Sequence, residues 1–341
     1  MTVRELDERY SRQMLFAGIG ESGQQKLAAS HVTIVGCGAT GSALASLLAR
    51  AGVGTIRIVD RDYVEASNLQ RQMLFDEADA ADSLPKAIAA ARKIAAFNSG
   101  IVVEPRIADL VPGNVEALLE GTQLILDGTD NFETRYLIND FGVSRSLPWI
   151  YTGAVGSYGV TMNILPGKTA CLACLFPAPP QGMVETCDTS GILNSAVNWA
   201  ASIAATEAVK IFAGAEDRLR RTLLSFDVWL NERAELNADT PHPGCRACDQ
   251  NDFTHLAGEN RPHITLCGRN SVQIHERNRP VNLSEMCARL QPHGQVRHND
   301  FVLKFWREPY EMTLFPDGRA IIKGTTDAGI ARSFYARYIG S

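Results

Sequence analysis

The run Gly36-Cys37-Gly38-Ala39-Thr40-Gly41 spells G-x-G-x-x-G between a β-branched stretch (residues 31–35) and an Ala/Leu-rich one (residues 39–51). Glycines in that setting let backbone N–H groups approach a phosphate, and the following helix N-terminus favours its negative charge. Asp60 ends the next β-branched stretch, about twenty residues after the last glycine, where a carboxylate receives ribose hydroxyls. These residues fit any nucleotide carrying a ribose, a dinucleotide included. The plainer alternative is a tight strand–helix turn followed by a surface aspartate.

Three further groups shift the reading toward a triphosphate. Asn68-Leu69-Gln70-Arg71-Gln72 follows the second strand, Lys86 lies just inside a helix start, and Asp127-Gly128-Thr129-Asp130-Asn131 closes a fourth strand. A nicotinamide site needs no such cluster. Arg71 offers a planar fork and Lys86 a point charge for phosphate oxygens, and cations there stabilise the charge of a leaving pyrophosphate. In an open α/β sheet, ligands bind at the carboxyl ends of strands, so Asp130 is placed to hold Mg²⁺ through oxygen. Taken singly, Arg71 and Lys86 read equally well as solvated charges and Asp130 as a helix N-cap. Together they favour ATP.

Cys171-Leu172-Ala173-Cys174 and Cys245-Arg246-Ala247-Cys248 are two C-x₂-C knuckles roughly seventy residues apart. Four thiolates are what a closed tetrahedral Zn²⁺ site needs, with no position left open for catalysis. The alternative is a redox-active pair. Such a pair opens a helix after a strand, and neither knuckle is expected to do so. Of the remaining cysteines, Cys37, Cys267 and Cys287 read as core. Cys187 lies in a polar loop, Gln181 to Gly191, where a thiol is either an ordinary loop cysteine or able to approach an activated acyl group.

The elements that must carry these residues alternate. Strands are expected at 31–35, 55–59, 101–104, 124–126, 149–152 and 160–165, with helices at 39–51, 85–97 and 132–145 between them. That alternation predicts a doubly wound, mostly parallel sheet. The first thirty residues read as two helices around a Gly-rich break at 18–23. A loop at 166–192 precedes an Ala-rich helix at 192–212, expected to be buried all round. Short strands are expected at 223–226 and 228–230. The chain divides into a first, ATP-type nucleotide-binding and cysteine-knuckle domain over 1–250, a linker over 251–262, and a small α+β domain over 263–341. That last domain is expected to hold strands at 264–266, 271–274, 301–306, 310–315 and 320–323, and helices at 283–290 and 328–339.

Composition narrows the class. The 341 residues are 45% hydrophobic and 21% charged, with a net charge of −5, which excludes a disordered chain or a disulfide scaffold. No basic block points to nucleic acid or an anionic membrane. No apolar run reaches the ~18 residues of a membrane span, and the polar start MTVRELDERYSRQ lacks the apolar segment of a signal peptide. The expectation is a cytoplasmic protein with reduced cysteines.

Arg9-Tyr10-Ser11-Arg12-Gln13, the glycine loop, Asp60 with Ser67 to Gln72, Pro85-Lys86, the Asp127 to Asn131 run and the two cysteine pairs occur in this order over about residues 8–248. In this the chain resembles the E1-like adenylyltransferases (the ThiF, MoeB and HesA group), relatives of ubiquitin-activating enzymes. It departs from the family pattern at Ala39-Thr40, where Gly-Gly or Gly-Leu is frequent, and at Ser83-Leu84, where a glycine is common. The resemblance implies ATP, Mg²⁺ and Zn²⁺ as cofactors. The implied reaction is adenylation of the C-terminal Gly-Gly of a small ubiquitin-like sulfur carrier, ahead of thiocarboxylate formation for thiamine or molybdopterin-type synthesis. The sulfur donor would be a cysteine desulfurase or a rhodanese. By the same resemblance the nucleotide contacts Gly36, Gly38, Gly41, Asp60, Asp62, Asn68, Arg71, Gln72, Lys86, Asp130 and Asn131. Cys171, Cys174, Cys245 and Cys248 hold zinc, Arg12 reaches into a partner's site in a homodimer, and Cys187 matches a persulfide-forming cysteine. Activation of a peptide or other carboxylate in secondary metabolism, and a non-catalytic scaffold for a ubiquitin-like partner, are the rival readings. The last eighty residues resemble longer thiazole-branch chains through the run Phe315 to Gly324. They read either as a stabilising appendage or as a docking surface.

Overall fold

The computed structural model describes residues 3–178, 190–258, 264–267, 270–274 and 280–340. Two compact units emerge, one of residues 1–81 and 86–259, the other of 82–85 and 260–341.

In the first unit the strands are β1 (His31–Val35), β2 (Thr55–Asp60), β3 (Val102–Ile107), β4 (Leu124–Asp127), β5 (Trp149–Val155), β6 (Tyr158–Ile164), β7 (Thr222–Asp227) and β8 (Glu232–Asn237). They form one sheet in the order β3-β2-β1-β4-β5-β6-β7-β8. The first five are parallel and the last three run antiparallel. Val32, Ile34, Ile56, Ile58, Leu124 and Leu126 are fully buried, as strands covered on both faces require. The helices between them are α3 (Ala39–Ala51), α4 (Glu77–Ala81), α5 (Lys86–Phe97), α6 (Val115–Leu119) and α7 (Phe132–Ser144). The chain steps outward from β1 through β2 to β3, then returns to β4 on the other side of β1. The reversal opens a crevice beyond the carboxyl ends of β1 and β4.

Before β1 lie α1 (Val3–Met14) and α2 (Gly20–Ala28). The glycine-rich stretch at 18–23 is thus mostly helical and not a break. The end of α3 explains how this arm is held. A helix leaves its last carbonyls unpaired, and here Ala49 accepts from Asn98 Nδ2 (2.6 Å) while Ala51 accepts from Gln13 Nε2 (2.8 Å) and Gln24 Nε2 (3.0 Å). Asn98 also donates to the buried Tyr10 hydroxyl (2.9 Å), and Arg9 donates to Phe97 O (2.6 Å).

Several boundaries differ from the sequence reading. The region 228–230 is the turn of the β7–β8 hairpin, with Asp227 Oδ1 accepting from the N–H groups of Trp229 and Leu230; the second strand starts at Glu232. Helix α8 (Leu172–Leu175) opens right at the first knuckle, with Cys171 as its N-cap, so that C-x₂-C does sit on a helical turn. Helix α9 (Asn194–Ala213) buries one alanine-rich side, Ala196, Ala200, Ala204 and Ala208, while Trp199 is 42% exposed. The segment read as a linker from 251 instead holds α10 (Thr254–Ala257), whose Leu256 and N-cap Phe253 pack on the core around α7.

The second unit is a six-stranded antiparallel sheet in the order β11-β12-β13-β14-β10-β9. Its strands are β9 (Ile264–Cys267), β10 (Ser271–Ile274), β11 (Gln295–His298), β12 (Leu303–Arg307), β13 (Tyr310–Leu314) and β14 (Ala320–Lys323). Helices α11 (Leu283–Leu290) and α12 (Ala328–Ile339) cover one face through Leu290, Phe334 and Tyr335 over Val272, Phe305 and Ile322. Strand β11 had no sequence signal: it is short, polar and exposed at the sheet edge. No helix among the described residues is long and apolar enough to cross a membrane.

Because Asn98 serves the arm and the end of α3 at once, Asn98→Ala is expected to cost about 1–3 kcal/mol through the buried partners it leaves unpaired. The expected readout is a lower urea midpoint with an unchanged m-value.

Candidate active site and metal centre

The three loop glycines do different jobs. Gly36 has φ +84°, and a Cβ on it would lie 2.7 Å from Gly128 O. A Cβ on Gly41 would lie 1.8 Å from Gly36 O. These two glycines allow the ends of β1 and β4 and the start of α3 to touch. Gly38 is different: the nearest atom to an added Cβ is Gln72 Nε2, at 3.9 Å. Its missing side chain leaves open space, and the Gln72 amide borders it with a buried Oε1 that has no hydrogen-bond partner among the described residues. Asp60 braces the loop, its Oδ2 accepting from Cys37 N (2.5 Å) and its Oδ1 from Asp62 N (2.6 Å).

Lys86, at the first turn of α5, is 8% exposed. Its Nζ donates to Asp62 Oδ2 at 3.3 Å. Burial works against its charge, but the carboxylates of Asp62, Asp60 and Asp130 outweigh it and hold the ammonium above its usual range. Burial, with Asp62 adding to it, lifts the Asp60 carboxyl, while Lys86 opposes the rise. Burial likewise pushes the Cys37 thiol up, which makes it an inert packing group. The structure therefore brings the glycine loop, Asp60, Asp62, Gln72, Lys86 and Asp130 together at the ends of β1, β2 and β4.

The other residues singled out have local roles. Asn68 Oδ1 accepts from Glu65 N (3.1 Å) within a capping box. Arg71 lies half-buried and donates to Ser67 O (3.0 Å). Asn131, not Asp130, is the N-cap of α7, accepting from Thr134 N (2.9 Å). That leaves Asp130 exposed, with no hydrogen bond or ion pair among the described residues. Arg12 is also exposed and unpartnered there, although its neighbours Arg9, Tyr10 and Gln13 all bind their own chain. Cys187 lies outside the described residues.

Sequence reasoning missed Arg135. Its Nε donates to Asp127 Oδ2 (2.9 Å) and its Nη2 to Thr129 O (2.7 Å). Asp127, fully buried, also accepts at Oδ1 from Thr129 N (2.8 Å) and Thr129 Oγ1 (2.7 Å). This pair fixes the turn that presents Asp130. The sequence carried no distinct signal for it, since the same helix also holds Glu133, Thr134, Asn139 and Asp140.

At the other end of α7 the four knuckle thiols converge, with Sγ atoms within 4.8 Å of one another. Three of the separations are 3.7 Å (Cys171–Cys245), 3.8 Å (Cys171–Cys174) and 3.4 Å (Cys174–Cys248). A tetrahedron with metal–sulfur bonds of ~2.3 Å has edges of ~3.8 Å, whereas a disulfide needs ~2.05 Å. The spacing suits a metal ion held by four sulfurs. Cys174 Sγ also accepts from His242 N (3.4 Å), which ties the first knuckle to the approach of the second.

Fold and site together define a doubly wound nucleotide-binding-type α/β protein with a four-cysteine metal-site cluster. Residues 10–247 match the ThiF family model, and the chain belongs to the ThiF family. It is 44% identical over 336 residues to the sulfur carrier protein ThiS adenylyltransferase of Bacillus subtilis, covering 97% of this chain and 99% of that one. It is 35% identical to the SAMP-activating enzyme E1 of Haloferax volcanii, covering 71% of this chain and 89% of the relative. A crystal structure of E. coli MccB with ATP shares the fold at 25% identity and a TM-score of 0.62, covering 70% of this chain and 74% of that one.

The glycine geometry sets up a paired test. Gly41→Ala is expected to destabilise the protein by roughly 3 kcal/mol or more, because the clash is with rigid backbone. Gly38→Ala, which meets open space at φ −76°, should change stability by no more than about 1 kcal/mol. Thermal denaturation followed by circular dichroism separates the two.

Proposed function

We propose that this chain is an ATP-dependent adenylyltransferase acting on the C-terminal glycine of a small ubiquitin-like sulfur-carrier protein. The observation that carries the reading is the buried Lys86, its Nζ 3.3 Å from Asp62 Oδ2, two residues after the Asp60 that braces the glycine loop. The carrier's carboxylate attacks the α-phosphorus of ATP. A carboxyl–phosphorus bond forms, the bond to the bridging oxygen of the β-phosphate breaks, and pyrophosphate leaves with the electron pair. No general base is required, because a carboxylate is ionised at pH 7. The chain's contribution is alignment and charge. Gly38 leaves room for the phosphates in a loop whose close backbone contacts Gly36 and Gly41 permit, Asp60 receives the ribose, Lys86 and Arg71 neutralise phosphate charge, and Asn68, Gln72 and Asn131 line the site. Asp130, an exposed carboxylate on a turn fixed by Asp127 and Arg135, fits an oxygen ligand for Mg²⁺. Bound there, the ion would neutralise phosphate charge.

The four cysteines suit Zn²⁺ in a closed, structural role, consistent with a reducing cytoplasmic setting. The sulfur-carrier substrate is supported by the Bacillus subtilis relative, which matches along nearly its whole length, C-terminal unit included. The MccB likeness supports the fold and does not extend to a peptide substrate. A persulfide on a cysteine desulfurase or rhodanese would then attack the activated glycine through its outer sulfur and expel AMP, and Cys187 is the candidate to displace the donor thiol, leaving the carrier linked to it as an acyl disulfide. Arg12 supports a homodimer. It has no partner among the described residues, on an arm pinned to its own chain, and Leu15 and Phe16 beside it are 75% and 65% exposed. In such a dimer the arginine acts as a finger from the neighbouring subunit.

Two experiments test this reading. Asp130→Ala is expected to abolish carrier-dependent ATP–pyrophosphate exchange while the fold survives; near-normal exchange would remove Asp130 from the Mg²⁺ role. Arg12→Ala and Asp130→Ala chains, each inactive, are then co-expressed. Half the dimers would be mixed and half their sites intact, so activity should recover to about a quarter of wild type. Heterodimers that form but stay at the parental level would show that Arg12 does not act across subunits.

A further inference from the structure

Helix α7 places two polar side chains, Asn139 and Asp140, in a fully buried setting at its metal-proximal end. Burying an amide and a carboxylate is costly unless each is partnered; of the four polar side-chain atoms only Asp140 Oδ1 lacks a hydrogen bond among the described residues, and it lies 3.0 Å from Arg246 Nη2 as an ion pair. Here each serves a different cysteine knuckle. Asn139 Oδ1 accepts from Leu172 N (2.9 Å), and its Nδ2 donates to Cys171 Sγ (3.7 Å), an ordinary length for the large sulfur atom. Asp140 takes the Arg246 guanidinium at 3.0–3.1 Å and accepts from His255 N (3.1 Å). Arg246 lies inside the second knuckle, between Cys245 and Cys248, and reaches on to Asp252 O (2.8 Å). One helix turn thus grips both halves of a site whose ligands are far apart in sequence.

On the reading of the four cysteines as a metal site, we infer that Asn139 and Asp140 are its positioning residues, with separate tasks. A divalent ion with four thiolates has two units of negative charge left over. An N–H···S hydrogen bond from Asn139 draws charge from Cys171 and fixes its rotamer. Asp140 touches no sulfur and instead sets the path of the second knuckle through Arg246. Outer-shell partners of this kind are commonly worth about 10–100-fold in metal affinity.

The experiment loads the full-length protein with Co²⁺, whose sulfur-to-metal charge-transfer band reports on the thiolates, and follows release to a colorimetric chelator. Asn139→Asp keeps the acceptor for Leu172 N but replaces the donor with a carboxylate beside Cys171. It should release metal at least tenfold faster and move the band to lower energy; Asn139→Ala should do the same to a lesser degree. Asp140→Asn should also release metal about tenfold faster, with the band unmoved. Wild-type release and spectrum in the Asn139 variants would overturn the inference, as would wild-type release in Asp140→Asn or a band shift there equal to that of Asn139→Ala. A wild-type chain that takes up no Co²⁺ would overturn the metal reading itself, and the inference with it.

Discussion

The ion pair between Asp127 and Arg135 is the constraint around which the first unit is arranged. Its carboxylate is fully buried and its guanidinium nearly so, at 2.9 Å. A buried pair is costly to break, about 3–5 kcal/mol for loss of one partner, because the survivor is an uncompensated charge. Here it joins three elements. Asp127 ends β4, Arg135 lies one turn into α7, and Thr152 of β5 brings its backbone to both. The same guanidinium takes Thr129 O, so the turn between β4 and α7 has no freedom to present Asp130 elsewhere. The position of the exposed Asp130 is thus set by a nearly buried neighbour, Arg135.

Much of the first unit was legible because parallel strands covered on both faces must be continuous Val, Ile and Leu runs, and these stood out against alanine-rich helices. The glycine loop was legible for the same kind of reason, since close backbone contact permits nothing larger at Gly36 and Gly41. What stayed hidden depended on partners distant in sequence. Arg135, Asn139 and Asp140 look like ordinary helix residues until the fold brings Asp127, Cys171 and Arg246 against them. The polar edge strands β8 and β11 were misplaced or missed because an exposed edge imposes no apolar alternation. The single turn at Leu172–Leu175 was hidden because four residues carry too little periodicity to register.

The glycines also show that a motif can mix two kinds of necessity. Gly36 and Gly41 answer to the fold, since any side chain there strikes backbone. Gly38 answers to whatever occupies the space beneath Gln72. A pattern match weighs the three equally, and only the distances tell them apart.

The cysteine knuckles bracket roughly seventy residues, which include α9, β7 and β8. A metal held between them would close that stretch into a ring. By the entropy of ring closure in an unfolded chain, such a cross-link is worth on the order of 4–5 kcal/mol. It also changes what a severed backbone means. A protease cut between Cys174 and β7 would leave two polypeptides fastened to each other through sulfur and metal as well as through the β6–β7 pairing, so that separating them would take a chelator together with unfolding.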